Sequence, residues 1–343
     1  NYPNAPFRCP GIEPTLTKDN GTGIPLCTEI NRPQVHTIYP ALAEMYFLLI
    51  EVISPPGGNY LPLQIAGLIL STGVTALLLW GLWWHQLNPR WAALWAWCPL
   101  VASEAVNNAH VDILGAFLAL GAVLLIAGKR YFLGGLGIGA AAAAKLIPFV
   151  LLPALIRRRP LRVISGAIGA FATLYLPYVW ASGTDIIGYL PGYLKEEGYR
   201  GGDPGSRFAL VRMVVPNDWA VVAGAVVLAI TALIVLWRVN PDRPWATVAT
   251  MVGMALLVTT PSYPWYSLLL IPFVAMAGRW EWLLVAAAPS ALYLSISAGG
   301  HGWALPLSVA KLGFGTAGII VVVVTLLRAY LPRQSLHNKR RKS

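Results

Sequence analysis

Apolar stretches close to the length of a membrane-spanning helix recur from Leu61 to Tyr330 with few polar breaks. About 20 such residues let a helix cross the hydrocarbon of a bilayer. This repetition excludes a soluble globule. The 343 residues are 57% hydrophobic and 11% charged, against about 45–50% apolar and about 25% charged in an ordinary soluble domain. Backbone inside a bilayer must satisfy its own hydrogen bonds, so the stretches are expected to be helices of an all-α polytopic membrane protein. The net charge of +11 sits mainly in short connections between them. That is a topological signal, and it excludes nucleic acid as a partner.

The stretches fall at about 61–84, 91–106, 111–127, 131–156, 161–181, 218–237, 244–260, 263–277, 280–297 and 303–329. The positive-inside rule puts the basic tail, 331–343, in the cytoplasm. Counting backwards places Arg279, Arg238 with Arg243, and the Arg157, Arg158, Arg159 and Arg162 cluster inside, with the polar loop 182–215 outside. The segment 131–156 breaks the alternation, because Lys129 and Arg130 precede it and the Arg157 cluster follows it. Lys145 and Pro148 interrupt its middle, so it is expected to be a re-entrant helical hairpin with both ends inside. Nine full spans and one hairpin result. Trp80, Trp83, Trp84, Trp91, Trp95 and Trp97 flank the inner HQLNPR turn, as an aromatic belt would.

The domains expected are an extracytoplasmic loop, 1–60, then a multi-span domain, 61–330, and the basic tail. Within the first loop, 38–54 is apolar yet must stay outside, so it reads as an interfacial helix. Glu44 and Glu51 share one face of it and can point into an aqueous cavity. The chain begins at Asn1 with a polar segment and no apolar leader, which reads as a fragment or a processed form. Cys9 and Cys27 lie in that outer segment and are expected to form a disulfide, while Cys98, among Trp95, Trp97 and Leu100, reads as a buried small hydrophobe.

The sequence carries no glycine loop for phosphates, no metal-type cysteine pair and no nucleophile elbow. What converges on the outer face is Glu44, Asn107, Asn108, His110, Asp112, Lys145, the loop with Lys195, Arg200, Arg207 and Arg212, and then Tyr263, Trp265, Tyr266 and His301. His110 and Asp112 can ligate a metal, cap a helix or hold sugar hydroxyls, and sugar is preferred. A lysine at membrane depth costs about 2.5–3.5 kcal/mol, so Lys145 must face protein or a polar cavity. Its partner is then a phosphate, or one of Asp112 and Glu104. The arginines suit an anionic group, and the aromatic rings of TTPSYPWY suit sugar rings or prenyl chains.

The runs IYPALAEMYF, NNAHVDILGAFLALGAVLL, GIGAAAAAKLIPFVLLPALIRRR and TTPSYPWYSLLLIP, in this order, resemble the actinobacterial polyprenol-phosphate-mannose-dependent mannosyltransferases of glycosyltransferase superfamily C. The resemblance covers roughly 38–277. Tyr39 and Pro40 match a Tyr-Pro-Pro motif in which Ala41 replaces the second Pro, and Lys145 to Pro148 match a Lys-x-x-Pro helix. It implies a superfamily C helical bundle in the cell membrane, acting on its extracytoplasmic face. The implied reaction moves mannose from a polyprenyl-phosphate sugar donor to a glycolipid or glycan acceptor among the membrane lipids, by inversion and without metal or other cofactor. It also implies a helix before Asn1, followed by the catalytic Asp. Within this chain Glu44 is the candidate base. Tyr39, Asn107, His110, Asp112, Lys145, Arg207, Tyr263, Trp265, Tyr266 and His301 are the candidate substrate contacts. The rival reading is a transporter or flippase for a lipid-linked or anionic solute, suggested by broken helices with polar groups at membrane depth.

Overall fold

The computed structural model describes residues 37–55, 60–199, 205–298 and 304–340, together with short strands at Phe7–Arg8, Lys18–Asp19 and Pro25–Thr28. The expected Cys9–Cys27 pairing and His301 lie outside the described residues. Cys98 is a free, partly buried thiol. Among the described residues, eleven α-helices of seven residues or more build the bundle. They are α1 (Ala41–Ile53), α2 (Leu61–Trp84), α3 (Asp112–Ala127), α4 (Tyr131–Ala144), α5 (Pro160–Ser182), α6 (Leu190–Glu196), α7 (Ala220–Arg238), α8 (Trp245–Thr259), α9 (Ile271–Ala277), α10 (Ala291–Ser297) and α11 (Leu307–Arg340).

Burial sorts them into two sets. In α3, α8 and α9 most side chains are buried, and Ile271, Phe273, Val274 and Ala275 are fully enclosed. The long helices α2, α5, α7 and α11 instead carry apolar residues outward, among them Ile69, Ile168, Leu233 and Ile319. An apolar surface of that extent belongs in hydrocarbon. The chain is therefore a multi-pass membrane protein.

The expected count of nine full spans is not what the helices give. By length and composition, four described helices can cross: Leu61–Trp84, Pro160–Ser182, Asn217–Arg238 and Leu307–Tyr330. Pro99–Asn107 and Asp112–Ala127 make a fifth span only if joined across a bend of 116°. The other apolar stretches are broken into shorter pieces, and Pro264, Pro272 and Pro289 open new ones. Proline cannot donate the backbone bond that continuity needs, and burial within the bundle satisfies what such breaks release.

The hairpin expected at 131–156 is present as a reversal of the chain. A methyl group at Gly135 would overlap the Val163 carbonyl oxygen, and one at Gly139 the Ala167 carbonyl oxygen. This four-residue step in the same sense on both helices makes α4 and α5 parallel neighbours, so the chain between them must return. It turns at Lys145, which is extended at φ −155°, ψ 130°, because Pro148 cannot donate to the Ala144 carbonyl. It comes back along a 3-10 segment, Ile147–Ala154. Fourteen α-helical residues rise about 21 Å, and eight 3-10 residues return about 16 Å.

Both basic groups consequently share one end of the bundle, where Arg158 hydrogen-bonds Tyr131 and holds Asp242 at 2.5 and 2.9 Å. The 240–244 turn reaches His85 through Trp245, with ring centroids 4.9 Å apart, and Trp91 covers Gly278 beside Arg279. Every turn read as basic therefore lies at this end, and Lys145 lies at the other. Single cysteines replacing Lys129 and Arg158 should accordingly react with an impermeant thiol reagent from the same side of sealed vesicles. Reaction from opposite sides would refute the reversal.

Helix α1 packs against α2, α4 and α5 through Ala41, Ala43 and Ile50, and leaves Leu48, Leu49, Val52 and Ile53 exposed. Glu44 and Glu51 do line one cavity, of about 450 Å³, with Phe47, Ser54 and Pro62.

A candidate active site at the end opposite the basic turns

Three local distortions assemble the site. The π turn Ala102–Asn107 leads into the 116° bend before α3, and π turns often mark functional positions. Lys145 forms the tip of the hairpin. Thr260 ends α8 in the left-handed region at φ 38°, and its hydroxyl accepts from the Ala209 N–H at 2.8 Å and donates to the Ser206 carbonyl at 2.5 Å. Ser206 and Ser262 hydroxyls pair at 2.7 Å. These bonds fasten the loop around Arg207 to the bundle. Ala109, Phe208 and Thr260 all have positive φ; for residues with a side chain this is unfavourable unless the surroundings enforce it.

Tyr266 is the centre on which two cations converge. Lys145 Nζ lies 5.3 Å from its ring centroid, and Arg207 Cζ lies 5.7 Å from it, both within cation–π range. Each cation also has a carboxylate. Lys145 Nζ donates to Asp112 Oδ2 at 3.1 Å, and Arg207 Nε donates to Glu197 Oε2 at 2.9 Å, with Nη2 on the same oxygen. Tyr39 covers Lys145 at 5.6 Å, Tyr199 covers Arg207 at 5.3 Å, and the Tyr193 hydroxyl bonds that of Tyr266. Between Asp112, Lys145, Pro148 and Tyr266 only about 10 Å³ of cavity remains, roughly the room for one water. The flanking tyrosines and Glu197 hold Arg207 well above an already high pKa, against the effect of its burial.

Beside this cluster stands an aromatic stack. Tyr263 and Trp265 lie parallel at 4.5 Å with 6° between planes, and His110 follows at 3.9 Å from Trp265. His110 Nε2 approaches Glu104 at 3.5 Å, yet burial, helped by Lys145, holds its pKa down to about 4. The carboxylate would favour the charged ring, and burial outweighs it. Unfolding exposes a histidine that titrates near 6.5. As pH falls from there towards 4, the unfolded chain takes the proton first and the native state loses stability. Above pH 7 both forms are neutral and the effect vanishes. The His110 ring proton resonance should therefore titrate with a midpoint near 4, and a midpoint near 6.5 in the folded protein would contradict this environment.

Of the residues expected to line a site, Tyr39, Asp112, Lys145, Arg207 and Tyr266 form one cluster, and His110, Tyr263 and Trp265 the adjoining stack. Asn107 sits at the rim, its carbonyl accepting from Gln64 Nε2 at 2.8 Å and its amide donating to Asn108 at 2.9 Å. Glu44 accepts from the Thr37 hydroxyl at 2.5 Å and lies in the electrostatic neighbourhood of Tyr39; no contact joins it to Lys145. Arg212 is committed to Asn217 and the Gly205 carbonyl. His110 and Asp112 take different partners, and among the described residues no three His, Cys, Asp or Glu side chains gather as a metal site. Glu104 does not pair with Lys145. It is 1% exposed and accepts from Ser103 at 3.0 Å, Asn108 at 3.3 Å and Tyr293 at 3.0 and 3.2 Å.

Tyr193, Glu197, Tyr199 and Tyr293 were not anticipated. The i, i+4 spacing of Tyr193 and Glu197 in YLKEEGY is the one signal that could have found two of them, since it puts both on one helical face.

A family model, Glycosyltransferase family 87, matches residues 38–261. That range includes Tyr39, Asp112, Lys145 and Arg207, and stops just before the Tyr263–Tyr266 segment. No curated protein and no solved structure matches the chain.

Proposed function

Because the chain belongs to glycosyltransferase family 87, and is thus a membrane glycosyltransferase with a sugar donor and an acceptor, we propose that it moves mannose from a polyprenyl-phosphate donor to a glycolipid or glycan acceptor. The reaction takes place on the extracytoplasmic face of the cell membrane. The observation that carries this reading is the convergence of Lys145 and Arg207 on Tyr266, at the end of the bundle opposite the basic turns. A polyprenyl phosphate is a good leaving group once its developing charge is met by cations. Lys145 and Arg207 meet that charge on the departing phosphate. The Tyr263–Trp265–His110 stack walls the sugar site through the outer ring faces of Tyr263 and His110, Trp265 being sandwiched between them, with Asn107 at the rim. A carboxylate must take the proton of the attacking hydroxyl, and Glu44 is the one proposed within this chain. A single displacement inverts the anomeric centre, so a β-linked donor yields an α-linked product.

Family membership favours transfer over the transporter reading, and a donor panel separates them. Purified protein in detergent, given a short synthetic acceptor, should form a new α-glycosidic bond from polyprenyl-phosphate mannose and none from a nucleotide-linked mannose. Use of the nucleotide sugar alone would overturn the donor assignment. Vesicle translocation of the lipid-linked sugar without any new bond would favour the transporter.

A further inference from the structure

Both cations proposed to meet the donor phosphate are already held by carboxylates of this chain. Lys145 is on Asp112 at 3.1 Å, with side chains 19% and 8% exposed; Arg207 is on Glu197 at 2.9 Å, with side chains 6% and 11% exposed. Pairs this enclosed are not loose surface bridges. A charge that loses its partner in such surroundings is strongly unfavourable, so a phosphate reaching these cations competes with the two carboxylates. The cavity of about 10 Å³ between Asp112, Lys145 and Tyr266 is too small for a phosphate group, and entry requires a side chain to turn.

The two members of each pair differ in freedom. Asp112 has a short side chain on the first residue of α3, where the helix dipole favours a negative charge. Lys145 carries its charge on a flexible four-carbon stem, at an extended residue between α4 and the 3-10 limb. The ammonium is therefore the group that moves. Glu197 lies just past the end of α6, while the bonds of Thr260 hold the backbone on either side of Arg207, so in that pair the carboxylate is the group that turns away.

We propose that Asp112 and Glu197 act as competing anions. Each yields its cation to the lipid phosphate and reclaims it to expel the phosphate product, which sets the affinity of the site and the rate of product release. This rests on the reading of Lys145 and Arg207 as phosphate contacts. The chemistry gives such competitors a use. The donor is a phosphodiester with one negative charge, and transfer of its sugar leaves a phosphate monoester. With a second pKa near 6, a monoester carries about −1.5 to −2 at pH 7. Two buried cations alone would grip the product more tightly than the donor. Asp112 and Glu197 oppose that by offering each cation a tethered replacement. They are positioning residues that act through Lys145 and Arg207.

The test uses the full chain in detergent, with a short-chain polyprenyl phosphate as inhibitor and inorganic phosphate as a parallel probe. Asp112→Asn and Glu197→Gln keep shape and remove the competing charge. Each should lower the inhibition constant of polyprenyl phosphate about tenfold, the scale of losing one charge-assisted contact, and should lower kcat through slower product release, with KM for the donor falling alongside. A matching gain for inorganic phosphate assigns the competition to the phosphate group itself; a gain for the lipid alone assigns it to the headgroup held in place by its chain. Either result supports the proposal.

Should Asp112→Asn fold poorly, Glu197→Gln on the loop carries the same test. Thermal melting adds a second readout, since phosphate should raise the melting temperature of both variants more than that of wild type. Weaker phosphate binding in the variants would overturn the proposal, because it would make the carboxylates supports for the cations. Unchanged inhibition constants would overturn it as well. Lys145→Ala separates the two layers: if it leaves phosphate binding intact, the phosphate reading itself falls, and the competition with it.

Discussion

Lys145→Ala and Arg207→Ala should each cut kcat/KM for glycosyl transfer by roughly tenfold to a hundredfold. A charge-assisted hydrogen bond is worth about 1.5–3 kcal/mol, and its loss in the transition state appears directly in that ratio. Each change also strands a carboxylate, Asp112 or Glu197, so melting must be measured alongside rate. The paired variants Lys145→Ala with Asp112→Asn, and Arg207→Ala with Glu197→Gln, remove the stranded charge. They should recover stability and leave the transfer rate low. Near-normal rates in both single variants would end the assignment of these cations to the phosphate. A silent Arg207→Ala alone would turn attention to Arg200, since Arg212 is already held by Asn217 and the Gly205 carbonyl.

Gly139→Val should destabilise the membrane domain strongly, by about 3 kcal/mol, the upper part of the usual range for overpacking. The α4–α5 contact brings backbone against backbone: a Cβ at Gly139 meets the Ala167 carbonyl oxygen and carbon, which have no flexible end to swing away. Close approach of this kind is what small residues permit between membrane helices. Gly169→Ala is the control, because nothing lies within 4 Å of its added Cβ. It should be neutral, or stabilising by up to about 1 kcal/mol through helix propensity. Thermal melting in detergent compares the two, and equal melting temperatures would contradict the parallel packing. The site should suffer too, since Lys145 stands six residues beyond Gly139 on the same rod.

Charge made the hairpin legible in the sequence. Lys129 with Arg130 and the Arg157 cluster could share an end only if 131–156 turned back, and Lys145 with Pro148 marked where. The same count led to the expectation of an interfacial helix at 38–54, and a helix, α1, is present over Ala41–Ile53. The number of spans was not legible, because apolar content tells how a segment partitions and says little about whether its helix is continuous. The stretch 263–277 is apolar throughout, yet prolines divide it into a 3-10 turn, Pro264–Leu269, and the short α9.

At the site, residue type was more informative than partnership. Lys145 had three possible anions, and Asp112 is the one in contact because the bend before α3 carries Glu104 away to Tyr293 and Asn108. The spacing of Tyr193 and Glu197 puts them on one face, but their partners were hidden because the register that brings them to Arg207 and Tyr266 is fixed by Thr260 and Ser206, outside that local pattern.

The reversal between α4 and α5 also bears on how such a chain is made. A segment whose two ends stay on one side of a bilayer needs no polar loop carried across during synthesis, and its one charged passenger is Lys145. Asp112 lies 33 residues earlier, so it leaves the ribosome first and can already be in place when the lysine arrives. The order of the two residues along the chain gives the incoming ammonium a waiting counterion, which lowers the barrier to threading a charge into oil.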